Sequence, residues 1–382
     1  MIACRVCGAP LGAPAYEAAG PSMTSIMTLI EGPMQVFVCE GCGHAQSPDL
    51  PDIRAFYDTG YRISLASEDH DQIFAVGADG QPIYRTAHQA GIALRLLDPP
   101  QGARVLDYGA AKATTLRTMM RSRPDLKPAV FDVSTDYAAA WEGWVAVEDR
   151  ATYEAPLCWT GRFDTVMSHF VLEHVAEPVP FLKEIWRLLK PEGRVLISVP
   201  DAVANPGDMM VADHLNHFSA ASLARALEVA GFRMEACDAT AFPGAFFVTA
   251  RKSAGVVPTA GDAAEAARAA RAACGFWGGA AERLAAAARR LSGQTCAIYG
   301  AGFYGAWIAS RVAQHVTLSG FLDQNPNLAG STLFERPVMP PADLPADVTA
   351  VFIGLNPKKA RAIIAQVPAL QRDGLERVWL DD

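Results

Sequence analysis

From Gly102 onward the chain alternates between short apolar runs and stretches whose apolar residues recur every three or four positions. The first kind of pattern predicts buried strands and the second amphipathic helices. Arg104–Gly109, Lys127–Ser134, Phe163–Ser168 and Arg194–Pro200 read as strands. Thr114–Arg121 and Ala220–Ala230 read as helices, with Ser219 as N-cap of the latter, and Phe181–Leu189 reads as a third, with Phe181, Ile185, Leu188 and Leu189 on one face. Strands alternating with helices predict a parallel sheet covered on both faces. Lys190-Pro-Glu-Gly193 reads as a break between helix and strand. A second strand–turn–helix opens at Thr295-Cys-Ala-Ile-Tyr-Gly300-Ala-Gly302-Phe-Tyr-Gly305, and its next strand ends at Gly320-Phe-Leu-Asp323. Between the two systems lies an Ala-rich stretch, in which Ala263–Ala273 and Ala280–Arg290 read as two connecting helices separated by Gly-Phe-Trp-Gly-Gly.

A chain of 382 residues exceeds one ordinary core. The pattern divides it into a front lobe, residues 1–80, a central domain, 81–253, and a helical linker with a second α/β domain, 254–382. A formal net charge of −8 argues against a general nucleic-acid binder, which needs excess Lys and Arg against phosphate. No apolar run approaches bilayer length, so no membrane association is expected. The opening Met1-Ile-Ala-Cys-Arg5 lacks the layout of a signal peptide. The expectation is a cytoplasmic protein whose thiols stay reduced. The sequence leaves the oligomeric state open.

Four of the eight cysteines are paired. Cys4-Arg-Val-Cys7-Gly8 is matched by Cys39-Glu-Gly-Cys42-Gly43, with 31 residues between. A CxxC followed by Gly makes a tight knuckle that turns backbone N–H groups toward the sulfurs. Two knuckles supply four thiolates in a tetrahedron, which suits a closed, structural Zn²⁺ site. After the second knuckle, Phe56-Tyr-Asp-Thr-Gly-Tyr61-Arg62 mixes aromatic and basic residues in a way that suits a loop over a polar ligand.

Two acids end predicted strands: Asp107, followed by Gly109, and Asp132. Such positions place backbone and carboxylate at the carboxyl edge of a sheet, where ligands bind. His214-Leu-Asn216-His217 precedes a helix start, and two imidazoles at i and i+3 are natural proton acceptors near neutral pH.

The ordered set VLDYG, VFDVS, FDTVMSHFVLEHV and LLKPEGRVLISVP resembles class I S-adenosylmethionine (SAM)-dependent methyltransferases. That resemblance implies a Rossmann-like SAM domain. Asp107, Gly109 and Ala110 would then meet the methionine part of the cofactor, Asp132 and Val133 its ribose side, and His169 and Phe170 would lie alongside it. The second glycine usual in that family's turn is replaced here by Ala113. With the Cys pairs in front, the chain is similar to three-domain sugar-nucleotide C-methyltransferases: an α/β protein with an N-terminal zinc ribbon, a SAM domain and a second, C-terminal Rossmann-like domain. This narrower resemblance implies His217 as base, with His214 where that group has Tyr and Asn216 where it has Glu. His174 falls at a pocket His, and Tyr299, Phe303 and Tyr304, with Tyr61 and Arg62, are candidate substrate contacts. The expected reaction is C-methylation of a nucleotide-linked keto-sugar. Two other readings stand beside it. One is O- or N-methylation of another small molecule, and the other a non-catalytic or NAD-linked binder, the latter on the Gly300–Gly305 fingerprint.

Overall fold

The structure, a computed structural model, describes residues 2–50, 73–76, 81–253 and 262–382. The chain divides into two compact units: residues 1–12, 38–204 and 214–270 form one, and residues 13–37, 205–213 and 271–382 the other. Tyr61 and Arg62 lie outside the described residues.

The first unit is built on a seven-stranded sheet. Its strands are β1 (Arg104–Tyr108), β2 (Lys127–Asp132), β3 (Arg150–Thr152), β4 (Phe163–His169), β5 (Leu189–Pro200), β6 (Phe232–Asp238) and β7 (Ala245–Lys252), in the spatial order β3-β2-β1-β4-β5-β7-β6. All run parallel except β7, which is antiparallel to both neighbours. The inner strands are apolar on both sides, as a sheet covered by two helical layers requires. Alternation then sorts their side chains. Val105 shares a core with Leu97, Leu116 and Met119 of the helices α1 (Arg85–Leu97) and α2 (Thr114–Ser122). Tyr108, on the opposite face, stacks on Phe131 at 4.4 Å and meets the edge of Phe181 in α3 (Pro178–Leu188).

β1 leads outward to β2, whereas β4 begins the other half of the sheet. The order therefore reverses between β1 and β4, and a crevice opens at their carboxyl ends. The helix α4 (Ala220–Val229) is fixed at its start by a capping box: Ser222 N donates to Ser219 Oγ, and Ser222 Oγ accepts from Ser219 N.

Two expectations are corrected. Lys190–Gly193 does not separate α3 from the next strand. Leu189 already pairs with Phe163, the ladder shifts, and Arg194 resumes opposite Thr165, so β5 carries the four residues as an irregularity with Glu192 at φ +60°. The Ala-rich stretch is one helix, Ala263–Arg290, rather than two. Gly-Phe-Trp-Gly-Gly was a plausible break on propensity alone. However, Trp277 is fully buried in the second unit, touches Tyr304 and Trp307, and donates its indole N–H to Pro206 O at 2.7 Å. Burial of that ring outweighs the two glycines that follow it.

The second unit contains a parallel sheet in the order Arg336–Met339, Thr317–Leu322, Thr295–Tyr299, Ala350–Ile353, Glu376–Val378, with the short Thr332–Leu333 antiparallel at one edge. Among the described residues no helix is long and apolar enough to cross a membrane.

Candidate functional site

The crevice at the end of β1 is shaped by a tight turn. Gly109 has φ +86°, and a Cβ there would lie 2.5 Å from Val171 Cγ2, so only glycine lets the turn approach the loop after β4. The amides of Gly109 and Ala110 both donate to Phe131 O, and Ala111 N donates to Asp132 Oδ2 at 2.8 Å. Ser134 N donates to the other oxygen of Asp132. Ala111 and Ala113 both adopt positive φ, +45° and +55°. The turn thus keeps the left-handed geometry that favours glycine while carrying methyl groups, at a cost of about 1 kcal/mol each. The indole of Trp141 closes it from outside by donating to Ala111 O at 2.7 Å.

Electrostatically the crevice is acidic. Asp107 and Asp132 are both buried. Loss of water, reinforced by the charge of Asp132, pushes the Asp107 carboxyl up to about 8, and burial raises Asp132 as well. A cationic ligand group beside Asp107 would relieve that strain. Val133, just beyond, is exposed and offers an apolar surface at the rim.

On the β4 side, His169 Nδ1 lies 2.9 Å from Ser198 Oγ, and its ring rests near Phe247. Burial and the neighbouring Arg85 charge lower this imidazole to about 4, so it is neutral. Phe170 takes φ +56°, which turns its ring under the guanidinium of Arg85, 4.5 Å from Cζ to centroid. Arg85 also approaches Phe242, which packs with Phe74 and His88. Arg85 was missed on sequence: one cation at a helix start carries no signal until the fold stacks it on Phe170. Trp141 was missed for the same reason.

The loop after β4 meets the segment 214–217. Asn216 Nδ2 donates to Leu172 O at 3.2 Å and Val175 O at 2.7 Å, and its Oδ1 faces His44 Nε2 at 3.2 Å. The amide is thereby committed to the protein and acts as a strut. Asn216 and His217 pair with Gln46 and Ala45 in a short ladder, which brings His217 Nε2 within 2.9 Å of Ser47 Oγ. His217 is buried. His174 and His214 meet edge to face, ring centroids 4.7 Å apart, with the buried Glu173 in the same cluster. Glu173 and Ser47 are further residues that sequence reasoning left out.

The front of the chain gathers its four thiols as the spacing predicts. Their sulfurs all lie within 4.8 Å of one another, with Cys4–Cys42 at 3.6 Å and Cys7–Cys39 at 3.5 Å. Four sulfurs about 2.3 Å from one Zn²⁺ in a tetrahedron stand about 3.8 Å apart, so the donor set and its spacing fit that ion. The Cys42 thiol donates to the Cys4 sulfur, which lowers Cys4 and raises Cys42, while burial raises Cys39.

In the second unit Tyr299 is buried at the end of its strand. Tyr304 donates to Asn205 Oδ1 and accepts from Gly207 N, both at 2.8 Å, and its ring fills the space a Cβ on Gly207 would need. Phe303 starts the helix Phe303–Val312 and packs edge-on against Tyr304. Asp323 Oδ2 accepts from Ala301 N at 2.8 Å.

A reversed-order α/β sheet with a glycine turn after β1 and an acid at the end of β2 defines a Rossmann-like domain. Residues 84–236 match the family model described as "Methyltransferase domain". The ubiquinone biosynthesis O-methyltransferase of Parvibaculum lavamentivorans is 29% identical over 118 residues, 30% of this chain and 47% of that protein, so the chain spans about half the length of that relative. Among solved structures, 1,6-didemethyltoxoflavin-N1-methyltransferase of Burkholderia thailandensis, bound to S-adenosylhomocysteine, is 23% identical with a TM-score of 0.35, covering 44% of this chain and 79% of that one. A SAM-dependent methyltransferase from Aquifex aeolicus is 18% identical with a TM-score of 0.37, covering 44% and 91%. The chain carries a SAM-dependent methyltransferase domain.

Proposed function

We propose that the whole protein is a cytoplasmic enzyme that transfers a methyl group from SAM to a small-molecule acceptor, with Zn²⁺ held structurally by Cys4, Cys7, Cys39 and Cys42. SAM supplies an electrophilic methyl on a sulfonium. Asp107 and the turn at Gly109 and Ala110 would receive its methionine end, Asp132 beside Val133 its ribose, and Phe170 with His169 its flank. The observation that carries the reading is the convergence at one sheet edge: the strut of Asn216 onto Leu172 O and Val175 O, and His214 set against His174. That convergence supports an acceptor site next to the SAM crevice, lined by imidazoles.

The acceptor we favour is a nucleotide-linked keto-sugar methylated on carbon. His217 would take the proton from the carbon next to the ketone, while His214 steadies the developing oxyanion; Asn216, both of whose N–H groups are held by Leu172 O and Val175 O, positions the segment instead. O-methylation is the second reading, favoured by the named chemistry of the Parvibaculum relative; His217 would then deprotonate a hydroxyl. Incubation of the enzyme with a keto-sugar nucleotide in D₂O without SAM separates them. Deuterium uptake next to the ketone, abolished in His217→Ala, supports carbon chemistry. No uptake, with methyl transfer to a hydroxylated acceptor, overturns it in favour of oxygen. Calorimetric binding of NAD but not SAM would overturn both.

A further inference from the structure

We propose that Glu173, His174 and His214 form a second metal site, for a divalent first-row transition ion, distinct from the four-thiol cluster. Their ligating atoms lie within 4.8 Å of one another. All three belong to the same unit, two on the turn Leu172–His174 after β4 and one on the segment tied to that turn by Asn216. Glu173 is 1% exposed, while both histidines are half-buried, so the cluster has a closed carboxylate floor and an accessible imidazole side. Two imidazoles and one carboxylate suit Fe²⁺, Mn²⁺, Co²⁺, Ni²⁺ or Zn²⁺, whereas an all-oxygen set would select Mg²⁺ or Ca²⁺. Three protein ligands leave at least one coordination position open, the mark of a site that takes a substrate atom rather than a structural one.

The inference deepens the methyltransferase reading and rests on it for its role. An ion here would take oxygen atoms of the acceptor, which selects molecules with two neighbouring oxygens, such as an α-hydroxyketone or a catechol. The acceptor's proton leaves to a basic nitrogen and the electron pair stays on the acceptor as an oxyanion or enolate held at the metal. That pair then forms the new bond to the methyl carbon as the C–S bond breaks, its electrons remaining on sulfur.

The test is titration of the full chain, zinc-loaded at the thiols, with Co²⁺. Tetrahedral thiolate and N/O sites differ in colour: a thiolate site gives intense sulfur-to-metal charge transfer, an N/O site weak visible bands alone. The expected result is one retained zinc by elemental analysis and one added Co²⁺ with the weak bands. His214→Ala and, as a variant at a half-buried position, His174→Ala should each weaken the added ion by at least about tenfold, since loss of a ligand exceeds the effect of losing a supporting group. Zinc content and melting temperature, read alongside, show that each variant is folded. A wild-type protein that binds no second equivalent, or variants that bind it as wild type does, would overturn the site. SAM affinity, measured in the same samples, keeps the two ideas apart. Second-site Co²⁺ without SAM binding sinks the methyltransferase reading alone, and SAM binding without the second Co²⁺ sinks the metal site alone.

Discussion

Asp132 accepts a hydrogen bond from the amide of Ala111, 21 residues earlier in the chain, at 2.8 Å. The acid that ends β2 thus fastens the turn that ends β1. In the second unit Asp323 holds Ala301 N at the same distance across 22 residues. For the first unit this gives Asp132 two separable duties. Asp132→Ala should lower the melting temperature and abolish measurable SAM binding. Asp132→Asn keeps an oxygen acceptor for Ala111 N but loses the one for Ser134 N, so it should melt between wild type and Asp132→Ala while binding SAM at least about tenfold more weakly, the scale of one lost charge-assisted hydrogen bond. Isothermal titration beside thermal melts separates the duties, and equal losses in both variants would refute the distinction.

Ala113 stands where the methyltransferase resemblance expects glycine, and its φ of +55° shows that the backbone still adopts the glycine-type conformation. Ala113→Gly should therefore stabilise the protein. Relief of the left-handed strain is about 1 kcal/mol, partly offset by the greater freedom of glycine in the unfolded chain. A urea midpoint that rises, with unchanged slope, is the expected outcome; a fall would mean the Ala113 methyl makes packing contacts worth more than the strain.

The raised pKa of Asp107 makes stability depend on pH in a definite direction. Between its ordinary value near 3.8 and about 8, the folded protein keeps the Asp107 proton while the unfolded chain gives it up. The unfolded state then binds fewer protons, so this group makes folding stability fall as pH rises through that window. Asp107→Asn should flatten the decline and stabilise the SAM-free protein most at pH 8. Denaturation curves from pH 5 to 8 check it, and parallel slopes for wild type and variant would contradict it.

His44 acts with the opposite slope. Burial holds its imidazole at about 3, against 6.5 in the unfolded chain, despite the contact with Asn216. Between those values the unfolded state takes up the extra proton, so stability rises with pH from 3 to 6.5. His44→Gln, which keeps a polar partner for Asn216 without the titration, should soften the loss of stability on acidification. A variant that acid-denatures as steeply as wild type would assign that limb to other groups, His169 first.

Much of this arrangement was legible in the sequence because it rests on local signals. The strands β1, β2, β4 and most of β5 announce themselves as apolar runs, and the N-cap at Ser219 and the two Cys knuckles as short motifs. The Ala263–Arg290 helix was not legible as one element, since the burial of Trp277 that overrides its glycines is a tertiary fact. Nor were Arg85, Trp141 and Glu173, whose roles arise only when Phe170, Ala111 and His214 are folded against them.

The four-thiol cluster leads to the last prediction. Cys4 and Cys42 are buried 3.6 Å apart in a lobe that also holds Arg5, whose guanidinium donates to Ser47 O at 2.8 Å and to Leu215 O at 2.6 Å. Ser47 in turn faces His217. Loss of the Zn²⁺ proposed for these thiols should therefore loosen the support of His217 as well as the knuckles. The expected outcome of chelation, or of Cys39→Ser, is a lower melting temperature with SAM affinity nearly intact, because Asp107 and Asp132 lie on the central sheet and Gly109 on the turn after β1, rather than on this lobe. Turnover should fall far more than SAM binding does. Hydrogen exchange at the amides of residues 44–47 and 215–217 reports the same coupling directly, through faster exchange in the metal-depleted protein. Unchanged exchange there, with turnover lost, would place the metal's effect elsewhere.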